Sequence, residues 1–80
     1  MNQVKILVNT EFLESEMQRR NIGSINELAR EIGISESMLH LILNNKRNPG
    51  PKVIGSMLRY FGVNFEKIFR ETLTKVHRSA

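Results

Sequence analysis

Apolar side chains fall at helical spacing through most of this chain, and the polar residues between them mark where each element starts and stops. At the N-terminal side, Val4, Ile6 and Val8 alternate against Lys5 in a β-branched run, which predicts a short strand over 4–8. Thr10 and Glu11 then open a helix with Phe12, Leu13 and Met17 on one side. Glutamates 11, 14 and 16 lie toward its start and Arg19 and Arg20 at its end, matching the helix dipole; Asn21 to Gly23 closes it.

Ser24-Ile25-Asn26-Glu27 reads as a capping box, in which the serine hydroxyl and the glutamate each satisfy a free backbone donor. It starts a short helix with Leu28, Ala29 and Ile32 inward, stopped by Gly33. Ser35 caps the next helix, with Glu36 against its positive end. There Leu39, Ile42 and Leu43 recur at i, i+3 and i+4 and face the core, and Asn44-Asn45 ends the helix. A basic turn follows from Lys46 to Gly50. Pro51 then suits the first position of a fourth helix, carrying Val53, Ile54, Met57, Leu58 and Phe61 and closed by Gly62. Asn64 caps a last segment with Phe65, Ile68 and Phe69.

The tail from Arg70 fits two patterns. Thr72, Leu73 and Val76 continue the helical spacing, whereas Thr72, Thr74 and Val76 are β-branched at period two. A strand paired with residues 3–9 is the reading adopted, because that segment otherwise leaves its backbone donors and acceptors without partners. The expected fold is mainly α: a compact bundle of about five helices containing a helix-turn-helix, with a small two-stranded sheet from the N- and C-terminal segments. Residues 1–80 form one domain, with the helical core at about 10–69.

Composition narrows the chemistry. Eighty residues bury only about 60–65% of their unfolded surface, so the margin of stability is thin. Cysteine is absent, which removes disulfides and thiolate metal sites; with two histidines and no aspartate, ligand clusters are hard to build. No metal or other cofactor is expected. No apolar run approaches the ~18 residues of a membrane span, and the first residues do not form a secretory signal, so a soluble cytoplasmic protein is expected.

The formal charge is +4, and its placement says more than its size. Residues 1–36 hold four basic side chains against six glutamates; residues 37–80 hold eight basic against two acidic, so the halves carry −2 and +6. That asymmetry points to a polyanion facing the second half. Catalysis has no support: no serine–histidine–acid arrangement is apparent, and the segment GPKVIGS lacks the Lys-Ser/Thr pair of a phosphate loop. Met57, Phe61, Phe65 and Phe69 read as core rather than a stacking platform for bases. His77 carries no assigned role.

One constellation is more specific than amphipathicity. Two helices crossing steeply through a tight turn need a small residue at the crossing, which Ala29 supplies, and a residue free to take positive φ, which Gly33 supplies. Ile34 plugs the turn while Leu39 and Ile42 anchor the second helix. The segment NELAREIGISESMLHLILNNKRNPGPKVIGSMLRYFGVNFEKIF, within a stretch of about residues 10–69, resembles the phage repressor and Cro-like (XRE-type) helix-turn-helix family, including its short bacterial and prophage regulators. Where that family often ends its recognition helix with Asn-Gly and basic residues, this chain has Asn44-Asn45-Lys46-Arg47.

The resemblance implies a regulator that binds double-stranded operator DNA as a homodimer and has no catalytic role; with a single small domain, no small-molecule ligand is expected. It makes Ser24 to Ile32 the helix that crosses the DNA backbone and Ser35 to Asn44 the recognition helix. Base contacts are then expected from Glu36, Ser37, Met38, His40 and Leu41. Phosphate contacts are expected from Ser24, Asn44, Lys46, Arg47 and Lys52. The groove face departs from many relatives in offering Glu36, Met38 and Leu41 where glutamine, arginine or asparagine is common. That apolar character leaves a second reading open, a protein-interaction module on the same fold, antirepressor or antitoxin-like.

Overall fold

The computed structural model describes residues 2–75, so the readings of Val76 and His77 lie outside the described residues. Its element order is β1 (Asn2–Val8), α1 (Thr10–Arg19), α2 (Ile25–Ile32), α3 (Glu36–Leu43), α4 (Pro51–Phe61), α5 (Phe65–Ile68) and β2 (Phe69–Lys75). Five helices and one small sheet are the architecture that the polarity pattern predicted. No helix among the described residues is long and apolar enough to cross a membrane.

The strands pair antiparallel, with Val4 opposite Leu73, Ile6 opposite Glu71 and Val8 opposite Phe69. The strand reading of the tail therefore holds, and its partner is the one that the pattern required. One chain crossing secures both strand–helix junctions: the Asn9 N–H donates to the Ile68 carbonyl at 2.7 Å. The Asn9 side chain also caps α1, accepting from the Phe12 N–H at 3.1 Å.

The core is apolar throughout. Leu28, Ala29, Leu39, Ile42, Met57 and Ile68 are fully buried, with Leu13, Phe61 and Phe69 close behind. Ile6 and Val8 extend this core onto one face of the sheet. Phe12 and Tyr60 meet Phe61 edge-on, at centroid distances of 5.6 and 4.9 Å. The Arg20 guanidinium lies 4.8 Å from the Tyr60 ring centre and bonds Glu16, closing the rim of this aromatic group.

Two helix ends show the same local solution. Gly33 (φ 89°) and Gly62 (φ 67°) take left-handed conformations, which lets one carbonyl receive two successive N–H groups. Ala29 O accepts from Gly33 and Ile34, and Leu58 O accepts from Gly62 and Val63. Asn64 behaves differently from the sequence expectation. It occupies the cap position of α5, but its side chain makes no capping bond, and its backbone carbonyl accepts from the Lys67 N–H at 3.0 Å.

Candidate nucleic-acid interface

The geometry begins at the turn between α2 and α3. Ala29 is fully buried, and the Gly33 turn is short enough to place Ser35 at the cap of α3. The Ser35 hydroxyl accepts from the Met38 N–H at 3.2 Å. At the start of α2, the Ser24 hydroxyl accepts from the Glu27 N–H at 3.1 Å. The reciprocal half of this cap lands one residue early: Glu27 Oε2 accepts from the Gly23 N–H at 3.0 Å rather than from Ser24.

With Leu39 and Ile42 buried, the other side of α3 presents a row at i, i+3, i+4 and i+7. Ser37, His40, Leu41 and Asn44 all lie exposed on it. Leu41 keeps 39% of its surface in solvent. Met38 and Glu36 are half-buried at the margins. Asn44 is the cap residue ending α3, and Asn45 takes the left-handed turn at φ 59°. Lys46, Arg47 and Lys52 follow, each exposed.

Three side-chain contacts around this row are not apparent from residue type. Glu36 Oε1 accepts from Arg30 Nη1 at 2.8 Å, so the carboxylate at the margin of this row has its own counter-charge. His40 Nε2 lies 2.7 Å from Asn26 Oδ1, joining α3 to the first turn of α2. A carbonyl oxygen only accepts, so Nε2 is the donor in this contact, and in the neutral ring Nδ1 is then the acceptor. Asn48 reaches β1, accepting from the Ile6 N–H and donating to the Val4 carbonyl, both at 3.1 Å.

Arg30, Asn26 and Asn48 are thus the site residues that the sequence reading passed over. Asn26 sits inside the capping motif and Asn48 inside the basic turn, where both read as local turn chemistry. The structure brings Ser37, His40, Leu41 and Asn44 onto one row, with Lys46 and Arg47 at its end. Ser24 and Lys52 stand at the starts of α2 and α4.

This arrangement of α2, turn and α3 coincides with a family match: a helix-turn-helix model matches residues 17–68. The chain belongs to the helix-turn-helix family. A Bacillus subtilis protein described as "Uncharacterized HTH-type transcriptional regulator YvzC" is 51% identical over 49 residues. The alignment spans 61% of this chain and 64% of that protein. Together these support the phage repressor and Cro-like (XRE-type) membership expected from the Ala29–Gly33–Leu39 constellation. No solved structure matches this chain.

Proposed function

We propose that residues 1–80 form a single DNA-binding domain acting as a sequence-specific, repressor/Cro-like transcriptional regulator, cytoplasmic and homodimeric. The observation that carries this reading is the exposed row Ser37, His40, Leu41 and Asn44 on a helix whose opposite side is sealed into the core. Helix α3 enters the major groove, and its N-terminal half reads base edges. Ser37 donates or accepts there. His40, through the free Nδ1, accepts from an adenine or cytosine amine. Leu41 packs on a thymine methyl, while Met38 and Glu36 border the same bases.

Asn44, Lys46, Arg47 and Lys52 hold register on phosphates. Ser24 joins them, because a hydroxyl that accepts from Glu27 still has its proton to donate. The dimer surface is assigned to α5 and the paired strands. In support, Val4 and Leu73 face each other across the sheet and remain 50% and 67% exposed.

The test is DNA binding as a function of salt. Affinity for operator-sized duplex from the protein's own locus is expected to fall steeply, with a log–log slope of about −0.9 per phosphate contacted. Arg47→Ala should weaken binding to all sequences, whereas Ser37→Ala and Leu41→Ala should shift preference at one or two base pairs. The exposed Leu41 favours one competing reading, a protein-interaction module. Absence of binding to that duplex at ~50 mM salt would decide for it.

A further inference from the structure

A shallow recess outside the α3 row lies between β1 and the turn that follows α3. Gln3, Val4 and Lys5 line it from the strand, and Asn45, Lys46, Arg47 and Asn48 from the turn. Three of these side chains are cationic, and among the described residues no carboxylate lines the recess. Gln3 and Lys5 are two residues apart on a strand, so they project from the same face, opposite to Ile6. Ile6 packs on the core, which leaves Lys5 on the outer face.

Asn48 fixes the relation between the two walls. Its amide occupies the outer edge of β1 as a neighbouring strand would, with one bond accepted from Ile6 N–H and one donated to Val4 O. Lys46 and Arg47, the two residues before it, are thereby held beside Lys5 although 41 or more positions separate them in sequence. Three cations lining one recess, with no carboxylate beside them among the described residues, repel one another and favour an anion between them.

Resting on the DNA-binding reading above, we propose that this recess binds one phosphate of the DNA backbone, with Lys5 and Gln3 joining Lys46 and Arg47 and with Asn48 as the positioning residue. The strand then extends the footprint beyond the helix-turn-helix. Lys5 takes part in the electrostatic contact, sequence-independent like any phosphate contact.

The experiment is the salt dependence of duplex binding by the full chain and its Lys5→Gln, Lys5→Arg and Asn48→Ala variants. Lys5→Gln should lower the slope by about 0.9, so that the loss of affinity between 50 and 200 mM salt shrinks about 3.5-fold. Operator and random duplex should be affected alike, and Lys5→Arg should retain the wild-type slope. Asn48→Ala should lower the slope although it removes no charge, a result that loss of a cation does not explain. Wild-type slopes in both Lys5→Gln and Asn48→Ala, with wild-type DNA binding intact, overturn the recess and leave the regulator reading standing. A wild-type protein that binds no DNA overturns both. Thermal stabilisation by inorganic phosphate that is lost in Lys5→Gln, with an unchanged DNA slope, would assign the recess to a free anion and also overturn the proposal.

Discussion

Asn26 and His40 face each other across the helix-turn-helix, with Oδ1 of the amide 2.7 Å from Nε2 of the ring. The contact ties the start of α2 to the middle of α3 and sets which ring nitrogen is left for a partner. Both residues are exposed, so the bond contributes little to folding and much to the direction in which His40 points. Asn26→Ala should therefore change melting by less than about 1 kcal/mol equivalent. It should alter discrimination at the base pair read by His40, as seen by competition with singly substituted operators. Unchanged discrimination would separate His40 from base reading.

The ion pair between Arg30 and Glu36 is open to solvent, more so at Arg30 than at Glu36, and such pairs stabilise by roughly 0.2–1 kcal/mol. Its larger expected effect is on DNA binding. Glu36→Gln removes a negative charge from the groove side and releases Arg30, so binding to any duplex should tighten and its salt slope should steepen. Titration at several salt concentrations checks this.

Gly33 tests the turn. A Cβ added there would meet nothing within 4 Å, so the penalty for Gly33→Ala comes from the φ of 89° alone. Roughly 1–2 kcal/mol of destabilisation is expected. Gly33→Asn should lose less, because asparagine tolerates the left-handed region. Urea denaturation of the two variants distinguishes this from a packing defect, which would follow side-chain size.

Glu16 supplies a pH dependence. The hydrogen bond from Arg19, assisted by Arg20, holds its carboxyl at about 2, against an ordinary value of 4.5. A carboxylate whose folded pKa is depressed contributes stability above its unfolded pKa and loses it as pH falls through the folded value. Wild type should therefore melt higher than Glu16→Gln above about pH 4.5, and the two curves should converge as the pH approaches about 2. A constant difference across this window would contradict the assignment.

Leu73 tests the dimer surface. At 67% exposure it should accept Leu73→Lys without loss of fold. Sedimentation equilibrium should show the variant as a monomer where the wild type is a dimer, and operator affinity should fall while each half-site contact persists. A variant that remains dimeric would move the interface away from the strands.

Much of the helix-turn-helix was readable from residues alone, because its determinants are local. Gly33 supplies its own positive φ, Ser24 and Ser35 bond to N–H groups three residues on, and Leu39 and Ile42 mark the buried side of α3 by spacing. The pairing of β1 with β2 followed from the requirement that a strand's backbone groups find partners, and the tail from Arg70 offered β-branched Thr72 and Thr74 at period two. Asn64 departed from expectation because residue type alone does not say whether a side chain or a carbonyl completes a short helix.

Sequence by itself determined the elements, their order and the exposed row on α3, since each depends on contacts within a few positions along the chain. Only the tertiary structure decided what those side chains meet. Arg30 finds Glu36 six residues away, His40 finds Asn26 fourteen away, and Asn48 finds the edge of β1 more than forty away. Spacing along a helix carries no information about such distances. They exist because the buried α2–α3 crossing and the antiparallel strand pair bring distant backbone together, and polar side chains then bond to whatever lies within reach.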